Sequence, residues 1–135
     1  KGPQKIKSVK NIMTKEYDGF PTDLQPQFMV LLCKANGISS ITENIFQGRF
    51  IHVMELQRFG AKITIKNSTA IIKGNANFSG SEVMSSDLRA SAALVLAGIV
   101  STGKTIISRI YHLDRGYEKI ENKLKKIGVK IKRLS

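Results

Sequence analysis

The sequence predicts an α/β fold made of repeated helix–strand–helix–strand units, and three observations lead there. First, the chain aligns with itself. Thr22-Asp23-Leu24 falls on Ser86-Asp87-Leu88, Gly37 on Gly103, Arg49 on Arg115, Glu55 on Glu121 and Gly60-Ala61-Lys62-Ile63 on Gly128-Val129-Lys130-Ile131, with an offset drifting only from 64 to 68 residues. Self-similarity of this kind marks a duplicated supersecondary unit. Second, apolar residues recur at helical spacing in segments that open on Ser, Thr or Asp and close at Gly. Third, short β-branched runs separate those segments. The two units run over 9–73 and 78–133, within one domain spanning 1–135.

A leading strand is expected near Ser8–Met13. Thr22 then caps a helix with Gln25 as its capping-box partner, and Asp23 suits the positive helix end. Leu24, Phe28, Leu31 and Ala35 form the stripe, Pro26 fits the first turn, and Asn36-Gly37 stops the helix. Ser39–Thr42 is a strand, and Arg49–Phe59 is a second helix ending at Gly60. Ala61–Lys66 and Thr69–Lys73 flank Asn67-Ser68 as a hairpin. After the connection Gly74–Glu82, Ser86 caps a helix striped by Leu88, Ala92, Val95, Leu96 and Ile99. Lys104–Ser108 is a strand, Tyr117, Ile120, Leu124 and Ile127 stripe the last helix, and Val129–Lys132 closes as a strand. Both units present apolar stripes that need a partner, so one continuous core is expected.

Composition is globular, with 41% hydrophobic and 24% charged residues in 135. The longest apolar run, Ala90–Val100, is broken by Ser91 and Gly98 and falls short of the ~20 residues of a bilayer span. Lys1–Lys15 is basic but lacks an apolar signal-peptide core, so a soluble cytoplasmic protein is expected. The net charge of +12 favours anionic partners. Much of the excess is terminal, where 115–135 holds eight basic and two acidic side chains that read as a solvated face. Cys33, alone of its type, falls among Phe28, Met29, Leu31 and Leu32 and is expected to be a packed thiol. His52 and His112 fit no metal-ligand spacing, so no metal and no cofactor are expected. Ser101-Thr-Gly-Lys-Thr105 imitates a phosphate loop, but it lacks the first glycine and runs from helix into strand.

The candidate residues lie at helix starts. Asp23 complements a helix dipole. Arg115, in the stretch Tyr111–Glu118, sits between a strand end and a helix start; it pairs with Glu118 or Asp114, or grips an oxyanion in two places. Gly116 leaves that side chain uncrowded.

Four words in order, Phe20-Pro-Thr-Asp-Leu-Gln25, Ser86-Asp-Leu-Arg-Ala-Ser91, Leu94-Val-Leu-Ala-Gly98 and Arg109-Ile-Tyr-His-Leu-Asp-Arg-Gly-Tyr-Glu118, resemble the C-terminal part of the UDP-N-acetylglucosamine enolpyruvyl transferases. The likeness runs from about Asn11 to Lys132. It implies an inside-out α/β barrel, helices inside and sheets outside, incomplete here. It also implies transfer of enolpyruvyl from phosphoenolpyruvate to the 3-hydroxyl of UDP-N-acetylglucosamine with release of phosphate, in peptidoglycan precursor synthesis and hence cell-wall biogenesis, cell shape and division.

By the same resemblance Asp23 lies beside the acceptor hydroxyl, and Arg115 holds the phosphate and carboxylate of phosphoenolpyruvate. Arg49 and Arg89 face the cleft, Asp87 holds Arg89 or a neighbouring loop, and Ile45 (through its backbone) and Phe46 border the nucleotide sugar. Ordinary packing of Ile45 and Phe46, and salt bridges among Asp87, Arg89 and Asp114, fit equally well. Gln47-Gly48 departs from the family wording at this loop. The family's lysine–asparagine pair and cysteine loop have no counterpart, and Cys33 does not replace that cysteine. The isolated chain is therefore expected to be inactive, to need the missing N-terminal part, and to expose apolar surface inviting a homodimer. The rivals are a shikimate-pathway enolpyruvyl transferase fragment and a basic nucleic-acid module. Against the latter stands the lack of any nucleic-acid-binding word.

Overall fold

A computed structural model of the chain describes residues 5–15, 20–45 and 50–134. Its strands are β1 (Ile12–Met13), β2 (Ile38–Thr42), β3 (Lys62–Lys66), β4 (Thr69–Lys73), β5 (Glu82–Met84) and β6 (Ile106–Ser108). Its helices are α1 (Gln25–Cys33), α2 (Val53–Phe59), α3 (Leu88–Val100), α4 (Tyr111–Asp114) and α5 (Ile120–Lys125), with a 3-10 turn at Thr22–Leu24. Four strands form a sheet in the order β1-β2-β4-β3, and β5 and β6 form a parallel pair. The hairpin at Asn67-Ser68 is as expected: β3 and β4 run antiparallel with Ile63 opposite Ile72, and Asn67 takes the left-handed conformation (φ 56°) that Asn tolerates.

Strand alternation puts Ser39, Ile41, Ile63, Ala70 and Ile72 on the covered face and leaves Ile38 and Ile71 outside. The second helix covers its side of the sheet with Val53, Leu56 and Phe59, one per turn, and Gly60 ends it in a left-handed cap (φ 111°). Gly128, its partner in the self-alignment, takes nearly the same conformation (φ 96°). The core runs from Ile12 through Met29, Leu32, Ile41, Leu56, Phe59 and Ile72 to Leu94 and Ala97, so both halves of the chain share it. Phe59 meets Phe78 at 5.9 Å between ring centroids. A small satellite of Ala92, Val95 and Leu113 ties α4 to α3.

One buried carboxylate joins the sheet to the start of α1. Glu43, 5% exposed just past β2, accepts from Thr14 Oγ1 (2.7 Å), Thr22 Oγ1 (2.9 Å), Gln25 Nε2 (3.2 Å) and the Ile45 N–H (3.3 Å). Burial alone raises its pKa. The hydrogen bonds from Thr14, Gln25, Thr22 and Ile45 outweigh that and hold the carboxyl below its ordinary value.

Several expectations are corrected. Thr22 and Gln25 form no capping box, because both side chains serve Glu43; the chain enters α1 through the 3-10 turn, with no side-chain cap. The buried residues of α1 are Gln25, Pro26, Met29, Val30, Leu32 and Cys33; of the expected stripe, Ala35 is buried just past the helix and Phe28 packs half-buried against the core, whereas Leu24 and Leu31 are exposed, because the helix is covered by the sheet on one side and by α3 on another. In α3 the cap is Asp87, whose Oδ1 accepts from the Ala90 N–H at 2.8 Å, not Ser86. Its buried residues are Ala90–Val95 and Ala97, while Leu96 and Ile99 are exposed. The helix expected from Arg49 begins at Val53, since 50–52 is a turn closed by the Val53 N–H to the Phe50 carbonyl.

Two further corrections lie near the C-terminus. The last helix is only Ile120–Lys125, with Tyr117 and Ile127 exposed. Val129–Lys132 is not a strand. In the first sheet the aligned segment β3 pairs with β4, whereas among the described residues no strand pairs with 129–132 and no closed barrel forms.

Phe59→Ala should cost about 3–5 kcal/mol, measured by urea unfolding, because it opens a cavity against Phe78 in the shared core. The depressed carboxyl of Glu43 gives an acid-sensitive contribution with a definite sign. Stability from a lowered pKa is fully present above the unfolded value of about 4.3 and is lost as pH falls through the folded one. The urea midpoint should drop between about pH 5 and about pH 3, and drop less in Glu43→Gln. Equal acid sensitivity of the two proteins would remove Glu43 as a cause.

Candidate functional site

The fold brings two helix starts together. Packing of α1 against α3 sets the Thr22–Leu24 turn beside the first turn of α3. Across that junction Arg89 Nε lies 2.5 Å from Asp23 Oδ1. The Arg89 Nε–H finds no hydrogen-bond acceptor, so the contact is an ion pair by distance without a well-aimed hydrogen bond. Side-chain exposures of 60% for Asp23 and 36% for Arg89 leave the pair open to an incoming ligand.

Asp87, expected as a possible partner of Arg89, instead caps α3 and so fixes the backbone from which Arg89 projects. The aligned aspartates have thus taken different work, one capping a helix and the other facing a guanidinium.

Arg115 follows α4 as its C-terminal cap residue rather than opening a helix. Leu113, buried against Ala92 and Val95, holds α4 to α3. Gly116 packs closely on α3: a Cβ there would come within 2.7 Å of both methyl carbons at the free end of the Leu88 side chain, so Arg115 sits next to the turn that carries Asp87 and Arg89. Neither Glu118 nor Asp114 pairs with it. Asp114 and Glu121 both bind Arg133, at 2.7 and 3.1 Å, and these hydrogen bonds lower both carboxyl pKa values. Among the described residues Arg115 has no ion-pair partner, and it is exposed, as a group that receives an anion must be.

Ile45 is half-buried, and its N–H is taken by Glu43, so any backbone contact to a ligand falls to its carbonyl. Phe46 and Arg49 lie outside the described residues. Glu43 itself was not singled out from the sequence. Alternation in β2 carries the signal: Ser39 and Ile41 face inward, and position 43 continues that face.

The arrangement supplies an exposed carboxylate to orient a hydroxyl and guanidinium groups for an anion. Two shallow grooves among the described residues lie away from it, bordered by Ile38, Lys62 and Ile71 and by Phe50, Met54 and Ile65. Cys33 is fully buried, and burial, opposed by nearby Lys34, pushes its thiol up to about 12. It is inert, as expected. Among the described residues no His/Cys/Asp/Glu group could hold a metal, and no helix is long and apolar enough to cross a membrane.

A model of the family described as EPSP synthase (3-phosphoshikimate 1-carboxyvinyltransferase) matches residues 1–124. The UDP-N-acetylglucosamine 1-carboxyvinyltransferase of Pelagibacter ubique (strain HTCC1062) is 60% identical over 99% of this chain and 32% of its own length. That of Geotalea daltonii (strain DSM 22248 / JCM 15807 / FRC-32) is 59% identical over the same shares. Among solved structures, the enolpyruvyl transferase NikO from Streptomyces tendae gives a TM-score of 0.88 at 27% identity, covering 96% of this chain and 30% of that one. An EPSP synthase from Acinetobacter baumannii gives 0.79 at 18%, covering 97% and 32%, which is likeness of fold alone. The chain thus spans about a third of the length of the curated relatives it matches. With the family pattern running from the first residue through α5, the chain belongs to the EPSP synthase family, the enolpyruvyl transferases.

Proposed function

We propose that this chain is a partial C-terminal domain, residues 1–135 with repeat units 9–73 and 78–133, of a transferase that moves enolpyruvyl from phosphoenolpyruvate to the 3-hydroxyl of UDP-N-acetylglucosamine in peptidoglycan precursor synthesis. The observation that carries the reading is the Asp23–Arg89 pair, which joins two of the family words across the α1–α3 junction. The 60% identity to an enzyme named for the amino sugar supports this acceptor over shikimate phosphate. A cytoplasmic setting suits these substrates.

In this mechanism Asp23 orients the sugar hydroxyl and takes its proton as the oxygen adds to the substituted carbon of phosphoenolpyruvate, while the methylene carbon gains a proton. Loss of a proton from that carbon then restores the double bond as phosphate leaves. Arg115, with Arg89 and Arg49, stabilises the phosphate and carboxylate. Asp87 holds the α3 start, and Ile45 and Phe46 border the nucleotide sugar. The rest of the protein supplies the second wall of the cleft, so the chain alone is inactive. In its absence a second copy covers exposed Leu24, Leu31, Leu96 and Ile99.

The test is a chimera in which this segment replaces the matching third of the Pelagibacter ubique relative. It should release phosphate from the two substrates, whereas the 135-residue chain alone should release none. Asp23→Ala should lower kcat by about 10²–10⁴-fold, and Arg115→Ala by about 10²–10³-fold. Full activity in both variants would sink the assignment. Calorimetry on the chimera should show binding of UDP-N-acetylglucosamine and none of shikimate phosphate, and the reverse preference would move the acceptor to the shikimate enzyme.

A further inference from the structure

We propose that Glu43 is a positioning residue for the acceptor side of the site, acting through Asp23 and Ile45; the proposal rests on the functional reading above. Among the described residues four donors converge on this carboxylate from four separate places: Thr14 just beyond β1, Thr22 in the 3-10 turn, Gln25 in the first turn of α1, and the Ile45 N–H in the loop after β2. Thr14 Oγ1 in turn accepts from the Asn44 N–H at 2.7 Å, so the loop is held at two consecutive peptides.

Asp23 lies between two of these anchors. Thr22 precedes it directly and Gln25 follows two residues later, and both side chains end on the same buried carboxylate. Asp23 itself is exposed and touches Arg89 through one ion pair, a contact too weak in water to hold a side chain in one place. What holds its backbone is the Glu43 cluster. The same cluster fixes Ile45 at the start of the segment that carries Phe46 and Arg49.

The chemistry of the cluster calls for a carboxylate. An ionised carboxyl is acceptor-only at both oxygens and can take all four donors, whereas an amide must turn its NH2 toward one of them. Removing the carboxylate also leaves buried Thr14 and Gln25 without this acceptor. The catalytic carboxylate is therefore aimed by a second carboxylate, itself 5% exposed, which bonds to the residues on either side of it.

The test is a double-mutant cycle in the chimera, with Glu43→Gln and Glu43→Ala made alone and in the Asp23→Ala background, and thermal unfolding used to set an assay temperature at which every variant is folded. Misplacement of a catalytic group is expected to lower kcat/KM on the order of ten- to a hundredfold. The loss should include a raised KM for the amino sugar, an unchanged KM for phosphoenolpyruvate, and a smaller effect for Gln than for Ala. With Asp23 already gone, the Glu43 substitutions should cause little further loss of kcat.

Additive losses, or equal rises in both KM values, would mean a general structural role and overturn the proposal. Hydrogen exchange on the 135-residue chain separates this failure from that of the functional reading. If Asp23→Ala leaves the chimera active, the functional reading falls. The positioning claim is then decided by whether Glu43→Gln speeds exchange locally at residues 22–25 and 44–45, which upholds it, or uniformly, which ends it.

Discussion

The rest of the molecule depends on α1 being covered from two directions. Its apolar side chains share one core with Ile41 and Ile72 of the sheet and with Ala93, Leu94 and Ala97 of α3. The small residues of α3 let the two helix axes approach closely. That approach fixes where the helix starts fall, and with them the Asp23–Arg89 contact. Through Leu88 and Gly116 it also fixes the turn of Arg115. The site is thus a by-product of helix packing: polar groups at helix ends are carried into proximity by apolar faces that must be buried.

A second constraint is the buried carboxylate at position 43. Placing an ionised group at 5% exposure is costly unless its oxygens are satisfied, and here donors from Thr14, Thr22, Gln25 and Ile45 meet that demand. The demand explains why α1 lacks the side-chain cap its sequence advertises. Thr22 and Gln25 have the right chemistry for a capping box, but the buried carboxylate accepts more strongly than a backbone-only arrangement would offer. The opening of α3 keeps an ordinary aspartate cap. Two aligned words therefore have different local structures because their tertiary surroundings differ.

The site is half of something. Its charges stand open to solvent, and two shallow grooves among the described residues lie away from it. The chain spans about a third of its relatives' length, and under the proposed function it supplies one wall of the cleft, with acceptor-side and anion-side groups. Electrostatic stabilisation is strongest where water is excluded, so these groups need a second wall to act at full strength.

The sequence by itself determined the α/β class, the hairpin at Asn67-Ser68, the glycine stop at Gly60, the inert thiol of Cys33 and the family, because these rest on local chemistry and on side-chain words that survive without a structure. Through the family resemblance it also singled out Asp23 and Arg89, which the fold pairs. Tertiary structure alone decided which apolar faces are buried. Helical periodicity selects a stripe, but α1 and α3 are covered on more than one side, so Leu31 and Leu96 lie outside the core and Met29 and Ala93 inside it. Tertiary structure decided the partners of charged groups too: Asp114 went to Arg133, 19 residues away, and Asp87 to a backbone N–H. It revealed Glu43, whose importance lies in donors drawn from residues 14 to 45 and is invisible to any local window. It left Val129–Lys132 unpaired, because a strand is made by its neighbour and no β propensity supplies one.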